Sequence, residues 1–431
     1  MEEKKYTPCV IIPGFGQSKA ELYDENGNSV RQVWPLKADV KGMAKKILKP
    51  YLKTVLCRKD KGFTDTAYQL YREILEPLAP DKNGDMKHRV RAVENRCSLD
   101  KCSEKVRNYV CKLVPVKKLA GIIGEDRLYF FAYNAFDDAY VTAEKLDDFI
   151  ALVKRETGSE KVNLLSFSMG GAVCTAYFDV YRQKNEIENV FYLASAMLGS
   201  QLQADLLERN FDKNQGYSLL EFFTTPEAGK RFRQILSLTT WDVRYALLYR
   251  SIDAVFDSVM MNSAGMWELL PVDRYEELAA KFISGGEYAG LKKRTDRFLQ
   301  AQKSLAATIG EMRGQGVKFW ICAGYGCRMM ALSAAERVSS DLILDVSAAS
   351  FGAVSAERGE KLPPEKLTDK SVLSPDGSVD ASTCLLPEST WLFRGVNHRQ
   401  MSRSDKAGEI IARAFTDPSF KGVSEEFPTF Q

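Results

Sequence analysis

Histidine is nearly missing from this sequence: 431 residues contain two, His88 and His398. Chemistry that needs an imidazole has at most those two places to find one. Long apolar runs are lacking too, since Leu128 to Phe136 is strand-sized and far short of a membrane-spanning helix. Neither sign of charge dominates: 60 basic against 57 acidic residues leave +3, too small an excess for nucleic acid as the main partner. The nine cysteines form no framework. The spacing of Cys97, Cys102 and Cys111 fits neither a zinc knuckle nor a redox pair, so reduced thiols and no metal are expected. Met1 to Pro8 is polar and holds no apolar signal core, so a cytoplasmic location is expected.

What is present is a motif. The apolar run Val162-Asn163-Leu164 leads into Leu165-Ser166-Phe167-Ser168-Met169-Gly170-Gly171 and then into Ala172-Val173-Cys174-Thr175-Ala176. A buried strand that breaks at small residues and re-emerges as an apolar helix can mount a serine nucleophile on a sharp turn. The helix N-terminus behind such a serine favours negative charge. Ser166 stands where the G-x-S-x-G pattern has its first glycine. The alternative reading is an ordinary turn whose serine caps a helix.

If Ser168 is a nucleophile, its base follows it in the order Ser, acid, His, and His398 alone qualifies. His398 lies between a strand expected over Ser389 to Phe393 and a helix expected over Met401 to Phe415, while His88 falls in a charged loop. For the acid, Asp376 is favoured because its Asp-Gly turn directly precedes the histidine strand, with Asp341, Asp345 and Asp380 as open alternatives. The oxyanion donors expected are the backbone N–H groups of Met169 and of Phe15, the latter on the loop Pro13-Gly14-Phe15-Gly16. That loop lacks the Lys-Ser/Thr of a phosphate loop, and this chemistry needs no cofactor.

Several segments together resemble the α/β-hydrolase superfamily, in its lecithin:cholesterol acyltransferase-like and lipase branch. They are Val10 to Gly16, Phe131 to Phe136, Ser168 to Gly171, Trp267 to Pro271, Asp376-Gly377 and Asn397-His398. Ser166-Phe167 replaces that branch's common Gly-His, and Asn134-Ala135-Phe136 its Asp-Trp-Arg. The resemblance implies an α/β-hydrolase fold: a mostly parallel central sheet flanked by helices, with an inserted helical cap. The division expected is a first core part, 1–198, with an insertion at about 38–118; a helical cap, 199–316; and a second core part, 317–431. The cap is rich in Phe222, Phe223, Trp241, Tyr245, Phe256 and several methionines, which suit either core or an acyl-binding groove.

The function expected is hydrolysis of apolar or lipid carboxylic esters. Lipid O-acyl transfer or phospholipase activity by the same triad is the alternative; an amidase, a peptidase or a non-catalytic binding protein is a further one. The partner is then a small-molecule or lipid ester. The basic run from Lys45 to Lys53 reads as a solvated face, with a membrane surface as its other reading, and peripheral membrane contact through the cap is a possibility. The sequence leaves the oligomeric state open.

Overall fold

The runs Cys9–Ile12, Leu128–Phe130, Val162–Ser168, Ile187–Ser195, Lys318–Tyr325 and Thr390–Arg394 are apolar without alternation, as strands covered on both faces must be. In the computed structural model they form one parallel sheet. The structure describes residues 6–36, 40–210, 230, 234–330 and 337–431, and only the backbone of Val40, Lys41 and Ala44.

Numbered along the chain, the strands are β1 (Cys9–Ile12), β2 (Ala20–Tyr23), β3 (Ser29–Trp34), β4 (Val90–Ala92), β5 (Leu128–Phe130), β6 (Val162–Ser168), β7 (Ile187–Ser195) and β8 (Lys318–Tyr325). Short pieces follow, β9 (Cys327–Arg328), β10 (Ser339–Ser340), β11 (Val354–Ser355) and β12 (Val379–Asp380), before β13 (Thr390–Arg394). The large sheet runs β13-β8-β7-β6-β1-β5. Strand β6 lies inside it between β1 and β7, with every pairing parallel. Parallel neighbours send their C-terminal ends to one edge, so the loops after β1, β6, β8 and β13 converge there. This is the core of an α/β-hydrolase fold: a parallel sheet with helices on both faces.

Helix Gly170–Tyr181 leaves β6 buried along its first nine residues, between the sheet and helices Ala139–Thr157 and Ala289–Gly314. Helix Ala139–Thr157 begins where the Asp138 carboxylate accepts from Tyr140 N–H and ends at Gly158, whose φ of 66° suits glycine. It buries Leu146, Phe149, Ile150 and Val153, the face its sequence period predicts. The segment expected as an insertion at about 38–118 begins, in the described chain, with two helices, Val40–Cys57 and Phe63–Leu75. Gly62, with φ of 85°, stands between them. The Asn26-Gly27 turn closes the β2–β3 hairpin, and β4 adds a third strand to it.

Two buried amides and an indole are paired across the sheet. Asn189 Nδ2 donates to Asn163 Oδ1 at 2.8 Å, and Trp320 Nε1 donates to Asn189 Oδ1 at 3.2 Å. The nine cysteines are free thiols. Among the described residues no helix is long and apolar enough to cross a membrane, and no cluster of three or more His, Cys, Asp or Glu could hold a metal ion.

Between β7 and β8 the described chain is helical, including Trp241–Val255, Val272–Phe282 and Ala289–Gly314. The segment Ser263 to Leu270 fastens it to the sheet's loops. Ser263 Oγ donates to Phe136 O at 2.9 Å, and Ser200 N–H donates to Leu269 O at 2.8 Å. Glu268 is buried there; its Oε2 accepts from Ala139 N–H at 2.9 Å while Oε1 meets no partner. Burial first, and the Asp138 charge second, hold its carboxyl well above the usual range.

A group that binds its proton more tightly when folded stabilises the fold below its unfolded pKa, and loses that contribution as pH rises through the folded value. Melting temperature is therefore expected to fall from about pH 5 to about pH 8 in the wild type. In Glu268→Gln, which keeps the acceptor for Ala139 N–H, the fall should be shallower. Burial also raises Asp137 and Asp205, so a residual slope of the same sign should remain. Equal slopes in thermal melts of the two proteins would refute this account of Glu268.

Candidate active site

Ser168 ends β6 with φ of 54°, a left-handed conformation that a non-glycine residue adopts only when its surroundings impose it. Two close approaches impose it. A Cβ on Gly170 would stand 2.6 Å from the Ile12 carbonyl oxygen, and one on Gly14 would stand 2.6 Å from Ser168 Cβ. Glycine at 170 lets the helix press on β1, and glycine at 14 lets the loop after β1 run against the serine. Ser168 is half-buried at the convergent edge of the sheet, on the sharp strand-to-helix turn its sequence predicts.

Both departures from the common elbow sequence have partners. Ser166 is fully buried, its Oγ 3.1 Å from Ser195 Oγ, and Ser195 Oγ donates to Ser166 O at 2.9 Å. A serine is accommodated where glycine is usual because β7 offers it a hydroxyl. The Phe167 ring lies 4.8 Å from the His398 imidazole at an interplanar angle of 33°. The residue before the serine thus forms a wall for the histidine.

His398 begins the short helix His398–Met401, capped by a reciprocal pair in which Asn397 Oδ1 accepts from Gln400 N–H and Gln400 Oε1 accepts from Asn397 N–H. The imidazole is buried, and its Nδ1 lies 2.7 Å from Asp341 Oδ2. With a carboxylate as partner, Nδ1 carries the proton and donates it, leaving the Nε2 lone pair free. His398 N–H also donates to Asp341 O at 2.7 Å. Asp341 is itself fully buried, and its Oδ1 accepts from Ile343 N–H at 3.0 Å and Leu344 N–H at 2.8 Å. One carboxylate oxygen holds the turn and the other faces the histidine.

Of the four candidate aspartates, the structure brings Asp341, and not the favoured Asp376, against His398. Asp376 does not reach His398; its Oδ1 accepts from Ser374 Oγ, Ser378 N and Ser378 Oγ, and its Oδ2 lies 3.0 Å from Arg394 Nε. Though burial opposes it, these hydrogen bonds and Arg394 hold the Asp376 carboxyl below its usual range, as in a turn-capping carboxylate. Asp345 caps helix Val346–Ser350 and Asp380 caps the turn Ala381–Thr383. A signal for Asp341 was present in Gly324 of β8. A Cβ there would stand 2.7 Å from Asp341 Cβ and 2.6 Å from the Val396 carbonyl oxygen. That glycine lets the Asp341 turn and the His398 loop close on β8 together. His88, as expected, is partly exposed, with Nε2 2.7 Å from Glu76 Oε1.

Phe15 follows Gly14 on the loop that runs against the serine, and Met169 follows the serine in the chain. The Phe15 loop is tied by Gly14 N–H to Gln17 Oε1 at 2.7 Å and by Tyr133 OH to Pro13 O at 2.7 Å. The Phe15 ring meets Trp34 and Phe136 edge-on at 5.5 and 5.6 Å. Beside it a small cleft is lined by Gly14, Gly16, Trp34, Tyr133 and Phe136. Met169 is buried immediately before Gly170, and a Cβ on Gly265 would come within 3.2 Å of its methyl carbon. Burial pushes the nearby Cys174 thiol up to about 12, so it stays neutral and offers no rival nucleophile. Of the cap residues that suit either core or groove, Phe222 and Phe223 lie outside the described residues; Phe256, Met260 and Met266 belong to the core.

No family model matches the chain, and no curated protein matches it. Among solved structures, a chain from the crystal structure of the Tle4-Tli4 complex aligns over 95% of this chain and 97% of its own, at 11% identity and a TM-score of 0.39.

Proposed function

We propose that this chain is a serine hydrolase of carboxylic esters, with Ser168 as nucleophile, His398 as base and Asp341 as the acid. The observation that carries this reading is the buried His398–Asp341 pair, packed on the ring that immediately precedes a serine of left-handed conformation. An isolated turn serine has no use for such a pair, and a buried carboxylate against an imidazole has its ordinary purpose in holding one tautomer.

In this mechanism His398 Nε2 takes the proton of Ser168 Oγ as that oxygen bonds to the ester carbonyl carbon. Asp341 stabilises the imidazolium, and the N–H groups of Met169 and Phe15 receive the negative charge on the carbonyl oxygen. Collapse expels the alcohol, which takes its proton from His398. Water then attacks the acyl-serine by the same proton route and releases the carboxylic acid. The aromatic walls formed by Trp34, Tyr133 and Phe136 favour esters with an apolar group against them. The helical block between β7 and β8 serves as the cap.

A fluorophosphonate probe tests the reading, because it phosphonylates an activated serine with loss of fluoride and ignores an ordinary one. The folded wild type should be labelled, and peptide mass analysis should place the adduct on Ser168. A panel of esters of graded chain length and matched amides should show ester cleavage dominant. Folded protein that takes no label would refute the hydrolase reading, and faster amide cleavage would refute the ester assignment.

A further inference from the structure

Helix Val40–Cys57 carries five lysines and no carboxylate, and among the described residues nothing covers one of its faces. Its inner side is ordinary. Thr54 is buried, Tyr51 meets the Phe63 ring edge-on at 5.4 Å, and Tyr51 OH donates to Ile235 O at 2.8 Å. The outer side is not. Leu48, Leu52 and Leu56 recur every four residues, so they form one stripe, and they are 54%, 49% and 82% exposed. Lys45, Lys49 and Lys53 form a parallel stripe three residues behind, all exposed. The Tyr51–Ile235 hydrogen bond brings a second apolar segment alongside, where Ile235 and Leu238 are also more than half exposed. Leu236 between them is buried against Phe63.

We infer that this face is a docking surface for an anionic lipid bilayer. Three leucines in register are an exposed apolar strip that single scattered residues do not make. A row of lysines beside such a strip is the arrangement that seats a helix in the headgroup layer, its apolar side at the acyl boundary and its ammonium groups among anionic headgroups. Charge decides against a second copy of this chain as the occupant. A symmetric contact through this face would set Lys45, Lys49 and Lys53 of one copy against the same three of the other, with no carboxylate on either helix to offset them. Some neighbouring cations are already engaged, Lys46 with Glu73 at 2.7 Å and Arg250 with Asp65. Among the described residues no carboxylate pairs with Lys45, Lys49 or Lys53.

The location matters for the site. The helix follows closely on Trp34, which lines the cleft beside Gly14. A bilayer held at this face would present lipid esters from the same strip of chain. That consequence rests on the ester-hydrolase reading, whereas binding itself does not, and the two are measured separately.

Co-sedimentation of the full chain with phosphatidylcholine vesicles, with and without phosphatidylglycerol, tests the inference. Anionic vesicles should bind at least about 10-fold more tightly than neutral ones, and raised salt should weaken that binding. The triple variant Lys45→Glu, Lys49→Glu, Lys53→Glu should lose about 100-fold in affinity. The variant Leu48→Ser, Leu52→Ser, Leu56→Ser should lose binding even at low salt. All should keep the wild-type melting temperature and turnover of a short soluble ester. If the triple leucine variant misfolds, Leu56→Ser alone should still weaken binding. The inference fails if wild type ignores anionic vesicles, if neutral vesicles bind equally, if the folded variants bind like wild type, or if the leucine variant dissolves a solution dimer.

Discussion

Ser168→Ala is expected to lower kcat/KM on a soluble ester by about 10⁵- to 10⁶-fold, and His398→Ala by about the same. The double variant should be no slower than either single one. The three values are tied because the groups act as a unit: without the imidazole the serine stays a weak hydroxyl, and without the hydroxyl the imidazole has no proton to take. The remaining rate over water should be that supplied by the oxyanion donors and by binding. Neither change should threaten the fold much, since Ser168 is half-buried and alanine fits its space. Turnover by Ser168→Ala within about tenfold of wild type would rule out the serine as nucleophile.

Asp341→Asn should cost about 10⁴-fold in kcat, while Asp376→Asn stays within about threefold of wild type. The reason lies in the two ends of the carboxylate. An asparagine at 341 can keep an oxygen toward the N–H groups of Ile343 and Leu344, so the turn survives. Its amide nitrogen must then face His398 Nδ1, where a donor meets a donor unless the imidazole moves its proton to Nε2. That tautomer presents N–H to the serine and cannot take its proton. The folded variant would be inactive for want of a lone pair. Asp376 sits in a different network, with Ser374, Ser378 and Arg394, so its amide variant should disturb local stability more than rate. Initial rates of the two variants on one ester decide the matter. An active Asp341→Asn beside an inactive Asp376→Asn would reverse the assignment.

Much of the architecture was legible because it depends on local pattern. The run Val162-Asn163-Leu164 reads as a buried strand, and Ala143 to Glu156 as a helix with one apolar side. The elbow was legible from small residues placed where strand, serine and helix must crowd together. With two histidines in the chain, the choice of base was nearly forced.

The aspartate that faces His398 was not legible, because Asp341 and Asp376 lie in turns of similar composition and nearness along the chain favoured the one that does not reach it. Their difference is set by pairing between strands far apart in sequence. Because β8 and β13 are parallel neighbours, the loops that leave them meet, and Gly395 N–H donates to Tyr325 O at 2.8 Å where they do. The part played by Phe167 was hidden for the same reason, since its partner His398 lies on another loop.

The chain of amides and indoles across the sheet carries one more consequence. Strands that are apolar on both faces lack the alternation that ordinarily forbids sliding by one residue. Asn163 can meet Asn189, and Asn189 can meet Trp320, in a single alignment only, and the Trp320 ring passes the constraint to Trp391, 6.2 Å away. These four residues lie well below the catalytic edge, on β6, β7, β8 and β13. They act as a spirit level for it: the height at which Ser168 emerges, relative to the loops bearing Asp341 and His398, is set where no substrate ever reaches.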